Sequence, residues 1–198
     1  MVLELLVTDQ PVVEEAHTTT SELWSWAGSM GIDISRFPRH GDETEDLSHP
    51  AMAVNLDACI HCNRCVRACR EIQVNDVIGM AYRGNHAKIV FDFDDPMGES
   101  TCVACGECVQ ACPTGALMEK TLIDENGIGK PAPSKEVDSV CPYCGVGCQL
   151  TYQVEDNTIV AVKGKEGPYN HGRLCVKGRF GFDYITHKHR LTKPLIRR

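Results

Sequence analysis

This 198-residue sequence has few aromatic side chains, no long apolar run and no excess of positive charge. Aromatic residues make up only 6% of the chain, which leaves little apolar surface for a core. No apolar run approaches the roughly 20 residues that span a bilayer, and the first residues lack the features of a secretory signal. The formal net charge of −7 argues against nucleic-acid binding, which uses basic faces. We therefore expect a soluble cytoplasmic chain with neither a nucleic acid nor a membrane as a partner.

Cysteine, in contrast, is abundant. The twelve cysteines fall in three tight groups, whereas the cysteines of a disulfide framework are spread along the chain as pairs. Structural zinc favours two separated C-x2-C pairs per site. Three closely spaced cysteines with a displaced fourth suit a four-iron cluster better, because such a cluster takes four thiolates. We therefore predict iron–sulfur ligation, with zinc and disulfides as the weaker alternatives.

The first two cysteine groups form an internal repeat. Cys-Ile-His-Cys-Asn-Arg-Cys-Val-Arg-Ala-Cys at 59–69 aligns with Cys-Val-Ala-Cys-Gly-Glu-Cys-Val-Gln-Ala-Cys at 102–112. In a doubled run of this kind, the fourth cysteine of each copy ligates the other cluster. The repeat therefore predicts two crossed ligand sets, Cys59, Cys62, Cys65 and Cys112 for one cluster and Cys102, Cys105, Cys108 and Cys69 for the other.

Residues 52–118 resemble the two-cluster bacterial ferredoxins through this doubled motif. The resemblance implies two [4Fe-4S] clusters in a ferredoxin-like unit. Between the copies, residues 77–82 and 88–93 flank a polar turn and predict an inserted β-hairpin. One departure is that Arg70 follows Cys69, whereas Pro113 follows Cys112. We therefore expect the first copy to continue as a longer helix, since proline does not interrupt it.

The third cysteine group lies at 141–148, Cys-Pro-Tyr-Cys-Gly-Val-Gly-Cys, and is completed by the distant Cys175. It resembles the cluster motif of the molybdenum and tungsten bis-pterin oxidoreductases. The resemblance implies a third [4Fe-4S] cluster, held by Cys141, Cys144, Cys148 and Cys175. It also implies that Lys177, two residues after the last ligand, lies between cluster and pterin as a cofactor-binding residue. Residues 149–154 and 158–162 predict a β-hairpin here.

These segments predict an α+β chain with four parts. Residues 1–50 form a helical leader, with a capping-box pattern at Thr19 and Glu22, followed by an acidic linker. The two-cluster ferredoxin-like domain covers 51–118, a second linker 119–138, and a [4Fe-4S] domain of the molybdopterin oxidoreductase type 139–198. The linkers are predicted from proline, glycine and charge, not from a repeating pattern.

The order of these parts resembles the N-terminal iron–sulfur segment of the α subunit of cytoplasmic NAD-dependent formate dehydrogenases. The large iron–sulfur subunit of respiratory complex I is a more distant relative. The resemblance implies electron relay between a molybdenum or tungsten pterin site and a flavin/NAD-binding iron–sulfur subunit. It also implies that the bis-pterin guanine dinucleotide is bound by an adjoining catalytic domain or subunit.

All twelve cysteines are assigned to the three clusters, so none is left to ligate molybdenum or tungsten. We therefore predict no catalytic residue in this chain and no formate oxidation by it alone, with activity only as part of a larger complex. The alternatives are a stand-alone ferredoxin-like electron carrier, an enzyme with its own metal–pterin site, and a zinc-binding interaction module.

Overall fold

The computed structural model describes residues 1–12, 15–18, 20–39 and 43–197. The chain divides into two compact units, Met1–Ala132 and Pro133–Arg198. Both units mix helices with short antiparallel strands, in agreement with the expected mixed fold class. None of the described helices is long and apolar enough to cross a membrane.

The first unit is built from short elements. Its α-helices are α1 (Val2–Thr8), α2 (Glu22–Ser29), α3 (Arg64–Arg67) and α4 (Glu107–Ala111). Its strands are β1 (Met52–Val54), β2 (Ile78–Ala81), β3 (Lys88–Phe91) and β4 (Leu117–Glu119). A π-helical turn follows α3 at Ala68–Ile72, and 3-10 turns lie at Leu56–Ala58, Gly84–His86 and Lys120–Leu122.

Two antiparallel pairs organise the part of this unit that carries cysteine. Strand β1 pairs with β4, so that Val54 lies opposite Leu117 and the two ends of the repeat region are joined. All three residues of β1 are buried, which makes this small ribbon part of the interior. Strand β2 pairs with β3, with Ile78 opposite Phe91, between the two cysteine runs.

The two leader helices, α1 and α2, pack on each other through the buried Val7, Leu23 and Ala27. Helix α2 begins at Glu22 with Ser21 as its N-cap, whose hydroxyl accepts a hydrogen bond from the Trp24 amide at 3.3 Å. The capping box predicted from Thr19 therefore differs from the observed cap, and Thr19 itself lies outside the described residues.

The acidic segment before residue 50 was predicted to be an exposed linker, and in the structure Asp46 and His49 within it contact the rest of the unit. Asp46 and Val54 exchange two backbone hydrogen bonds, at 2.9 and 3.0 Å. The Asp46 carboxylate also accepts a hydrogen bond from the Met97 amide at 2.6 Å, and His49 is buried. Acidic residues suggested solvent exposure, whereas here one of them binds backbone amides that would otherwise lack partners.

The second predicted linker, 119–138, also differs from the structure. The Lys120 ammonium donates hydrogen bonds to the carbonyls of Leu47 and His49, at 2.6 and 3.2 Å. The amide of Gly129 donates to the Ala16 carbonyl at 2.9 Å. A Cβ at Gly129 would lie 2.1 Å from the His17 carbonyl oxygen, so this close approach requires glycine. Glycine suggested an irregular segment, whereas Gly129 lies in close contact with another part of the unit.

The second unit is a three-stranded antiparallel sheet followed by a short helix. Its elements are β5 (Lys135–Val140), β6 (Gln149–Glu155), β7 (Thr158–Gly164), α5 (Val176–Phe180) and a 3-10 turn at Gly181–Ile185. Asp156 and Asn157 join β6 to β7 with φ angles of 45° and 58°, the left-handed pair of a two-residue hairpin turn. Strand β5, which the linker prediction missed, is exposed along its length and pairs with β6.

Candidate metal centres

Thiols from both copies of the repeat line one cavity in the first unit. Cys59, Cys62 and Cys65 come from the first run, and Cys112 from the end of the second. Ile60, Leu56 and Ala116 are among the apolar side chains that complete the wall. The structure therefore brings together the first of the two crossed sets predicted from the repeat.

A second cavity collects the other four thiols of the repeat. Its walls include Cys102, Cys105 and Cys108 from the second run and Cys69 from the first. Val77 and Ile78 supply apolar surface beside them. The Cys69 sulfur accepts a hydrogen bond from the Val77 amide at 3.4 Å, which fixes it against the chain leading to β2.

The two ligand loops have the same backbone turns. Asn63 and Gly106 occupy equivalent repeat positions and are both left-handed, with φ of 60° and 74°. His61 and Ala104, two residues earlier, are also left-handed, at 52° and 55°. The Ala104 amide donates to the Cys102 sulfur at 3.4 Å. Such turns direct backbone N–H groups toward an enclosed anion, which is the charge that a thiolate-bound cluster presents.

The two repeat copies differ at their last cysteine. Cys69 lies within the π-helical turn that extends α3 as far as Ile72. Helix α4 ends at Ala111, so Cys112 follows the helix in extended conformation, directly before Pro113. The absence of proline after Cys69 allows the longer helical segment, whereas Pro113 cannot continue one.

Burial raises the pKa of several thiols of the first unit, so that these hold their protons more tightly in the absence of metal. Burial, reinforced by neighbouring thiolates, raises the pKa of Cys59 to about 11 and that of Cys65 to about 12. Burial raises the pKa of Cys108 well above its usual value. Cys62, in contrast, is exposed. Metal binding must displace the protons of these thiols. A bound cluster would then compensate the negative charge of thiolates that burial alone disfavours.

The four cysteines of the third group lie together in the second unit. Burial raises the pKa of Cys148, and the charges of Cys141, Cys144 and Cys175 raise it further. The Cys141 amide donates to the Cys148 carbonyl at 2.9 Å, which closes the ligand loop. Cys175 stands at the N-cap of α5. Cys144 and Cys175 are exposed, so this site is more open than the two cavities of the first unit.

Helix α5 carries Lys177 on the outside of the unit, where the side chain is exposed. The next residue, Gly178, lies against the ligand loop, since a Cβ there would be 3.5 Å from the Cys141 sulfur. Arg179 is buried, with only 1% of its surface exposed, and sequence reasoning gave it no role. Arg179 lies four residues after Cys175, and this spacing of one helical turn could have indicated that the two residues are neighbours on the same helix.

Within the described ranges, no group of three or more histidine, cysteine, aspartate or glutamate side chains is arranged to hold a single metal ion. A four-iron cluster needs a different arrangement, because each of the four thiolates binds its own iron at a corner of the cubane. Cysteine thiolates lining an enclosed, largely apolar cavity fit that requirement.

Two family models match the chain. Residues 134–187 match the molybdopterin oxidoreductase Fe4S4 domain, and residues 58–116 match the 4Fe-4S dicluster domain. The chain therefore contains two iron–sulfur domains, one of the molybdopterin oxidoreductase Fe4S4 type and one of the 4Fe-4S dicluster type. The predicted resemblance is therefore confirmed, and so is the presence of [4Fe-4S] domains. The assignment of individual ligands and the role of Lys177 stay predictions.

Relatives and a solved structure point the same way. The chain is 33% identical to "Probable oxidoreductase YjgC" of Bacillus subtilis (strain 168), over 92% of this chain and 22% of the relative. It is 33% identical to "Putative formate dehydrogenase SH0748" of Staphylococcus haemolyticus (strain JCSC1435), over 75% of this chain and 19% of the relative. A crystal structure of an NAD+-reducing [NiFe]-hydrogenase in the H2-reduced state matches with a TM-score of 0.53 and 25% identity, over 60% of this chain and 52% of that one. The segment spans about a fifth of the length of these curated relatives.

Proposed function

We propose that the segment is an electron relay that holds three [4Fe-4S] clusters within a formate dehydrogenase-type oxidoreductase. A [4Fe-4S] cluster accepts and returns single electrons, which is the chemistry that it would supply here. The chain's own residues fix the positions of the clusters, shield them from water and set their potentials through burial, amide hydrogen bonds and charge.

The observation that carries this proposal is the exchange of thiols between the two repeat copies. Each cavity of the first unit combines three cysteines of one run with the last cysteine of the other, Cys112 in one case and Cys69 in the other. A zinc site has no need of this exchange, since two local C-x2-C pairs suffice for one ion. The doubled cluster motif requires it.

The third site has a different relation to solvent, and this supports a role at the end of the relay. Cys144 and Cys175 are exposed, whereas Cys65, Cys69 and Cys108 are buried. An exposed ligand edge allows a neighbouring redox group to come close without rearrangement of the fold. We propose that this edge faces the molybdenum or tungsten pterin site of an adjoining catalytic domain, with Lys177 between them.

The clusters of the first unit are proposed to continue the relay toward a flavin/NAD-binding iron–sulfur subunit. No bond is made or broken by the chain's side chains in this scheme. Formate, the pterin metal and the flavin partner belong to the proposal, because the segment covers only a small part of its relatives.

Stepwise reduction of the reconstituted chain tests the proposed function. After anaerobic addition of iron and sulfide, the chain should take up about three electrons per molecule, one for each cluster. EPR spectra recorded during titration with dithionite should follow each step. A reconstituted chain that accepts no electrons, or that binds zinc in place of iron, would overturn the proposal.

A further inference from the structure

Arg179 is a buried cation in the second unit, which has only a small core. Its side chain is 1% exposed, and it is among the largest fully buried side chains of the described residues. One guanidinium nitrogen lies 3.5 Å from the carbonyl oxygen of Val162 in β7. Burying an arginine is unfavourable unless the surroundings compensate its charge.

Three contacts place Arg179 in the part of the unit that holds the third cysteine group. The Arg179 amide donates to the carbonyl of Cys175 at 3.1 Å, so the two residues are joined across the single turn of α5. Val162 belongs to the apolar cluster against which Cys141 and Cys148 pack. The residue before Arg179, Gly178, is the one that lies against the Cys141 sulfur.

The two cations of α5 differ in how strongly they can act on a cluster at this site. Lys177 is exposed, so water and salt screen its charge. Arg179 is buried, and a charge interacts several times more strongly in a protein interior than in bulk water. A [4Fe-4S] core with four thiolates carries a charge of about −2, which becomes more negative by one on reduction.

We propose that Arg179, more than Lys177, sets the reduction potential of the third cluster. The field of the positively charged guanidinium favours the reduced cluster over the oxidised one. One electron enters from the reductant, the cluster gains one negative charge, and no bond changes. This inference rests on the proposed function, because it requires a cluster on Cys141, Cys144, Cys148 and Cys175.

Redox titration of the full chain followed by EPR tests the inference. Arg179→Met and Arg179→Gln remove the charge, Arg179→Lys retains it, and Lys177→Met is the matched control on the same helix. The neutral Arg179 variants should shift the reduction equilibrium of the third cluster at least tenfold toward the oxidised form, which is 59 mV for one electron. Arg179→Lys should keep the equilibrium close to that of the unaltered chain, and Lys177→Met should change it less than Arg179→Met does.

Each other outcome also decides the question. The inference is overturned if Arg179→Met or Arg179→Gln assembles the third cluster with an unchanged potential. It is also overturned if the potential of Arg179→Lys shifts as far as that of Arg179→Met. If only Arg179→Lys assembles the third cluster, the potential of that variant decides: a value near that of the unaltered chain supports the inference, and a shift of about tenfold or more in the equilibrium overturns it. If all three variants lose the cluster, the guanidinium is required for assembly, and the claim that its charge sets the potential is rejected. The proposed function is tested separately on the unaltered chain, and it fails if the unaltered chain does not assemble the third cluster.

Discussion

The two units of the molecule hold their cysteines in contrasting ways. In the first unit each thiol set is assembled from two runs that are distant in sequence, and Cys65, Cys69 and Cys108 are buried. In the second unit three thiols share one loop, and Cys175 joins them from the start of α5, beside a three-stranded sheet. In the first arrangement, metal binding would be part of the fold itself. In the second, it would add a metal site to a sheet that has its own apolar cluster.

Removal of the metal should therefore affect the two units unequally. Each cluster in the first unit would cross-link the repeat copies, and its loss would leave the thiols that line each cavity without the bonds that join them. We expect the metal-free chain to lose most of its structure in residues 52–118, while the sheet β5–β6–β7 keeps more of its own. NMR spectra of the two forms measure this. A well-dispersed spectrum of the metal-free first unit would contradict the coupling between metal and fold.

Serine substitutions at Cys112 and Cys69, the last cysteines of the two repeat copies, test whether each thiol set of the first unit combines both runs. Cys112→Ser should damage the cluster whose other ligands are Cys59, Cys62 and Cys65, and remove up to about a third of the iron, since one of three clusters is affected. Cys69→Ser should damage the other cluster of the pair. EPR signals assigned to each cluster, together with iron content, give the readout.

The matched control for these variants is Cys175→Ser in the second unit. It should affect the third cluster and leave both clusters of the first unit intact, because its neighbours in the structure are Cys141, Cys144 and Cys148. If Cys112→Ser disturbed only the cluster held at 102–108, the crossed assignment would be wrong.

Much of this contrast was predictable from the sequence, and the reason is that ligand spacing is local. Three cysteines within seven or eight residues define a loop around one cluster, and the doubling of the run implies the exchange of Cys69 and Cys112. The family matches at 58–116 and 134–187 confirm the two kinds of cluster domain. The structure brings the predicted sets together, although no measurement yet tests the ligation itself.

Features that depend on tertiary contacts were not predictable in the same way. The acidic segment around Asp46 suggested a linker, because a charge pattern does not reveal that a carboxylate meets the Met97 amide from a distant part of the chain. Strand β5 was missed because its residues are exposed on both faces, so it shows no buried alternation. The burial of Arg179 was missed because arginine is ordinarily exposed.

Differences in exposure predict different rates of cluster loss. The third site has two exposed ligands, Cys144 and Cys175, whereas Cys62 is the exposed ligand among the eight thiols of the first unit. Under an iron chelator or air, the third cluster should therefore disappear several-fold faster than the pair, because reagents reach its edge without local unfolding. Time-resolved EPR distinguishes the signals. Equal rates for all three clusters would show that exposure of the ligands does not limit the loss.

A smaller effect is expected at Lys177 itself. Its exposed ammonium favours the more negative, reduced state of the third cluster, though solvent weakens the interaction. Lys177→Met should lower that cluster's potential modestly and leave the pair unchanged. In a complex with a catalytic partner, the same substitution should slow reduction of the third cluster without affecting its assembly. Unchanged potential and undiminished reduction would leave Lys177 as an ordinary surface lysine.

The central claim is that twelve thiols hold three four-iron clusters, and elemental analysis of the anaerobically reconstituted chain tests it most directly. Four irons and four sulfides per cluster predict about twelve of each per chain. Iron, acid-labile sulfide and zinc should be measured on the same preparation, after removal of loosely bound metal. Values near twelve iron and twelve sulfide, with negligible zinc, are the result that the account predicts. Stoichiometric zinc without sulfide, or about eight irons with the third cysteine group unoccupied, would contradict it.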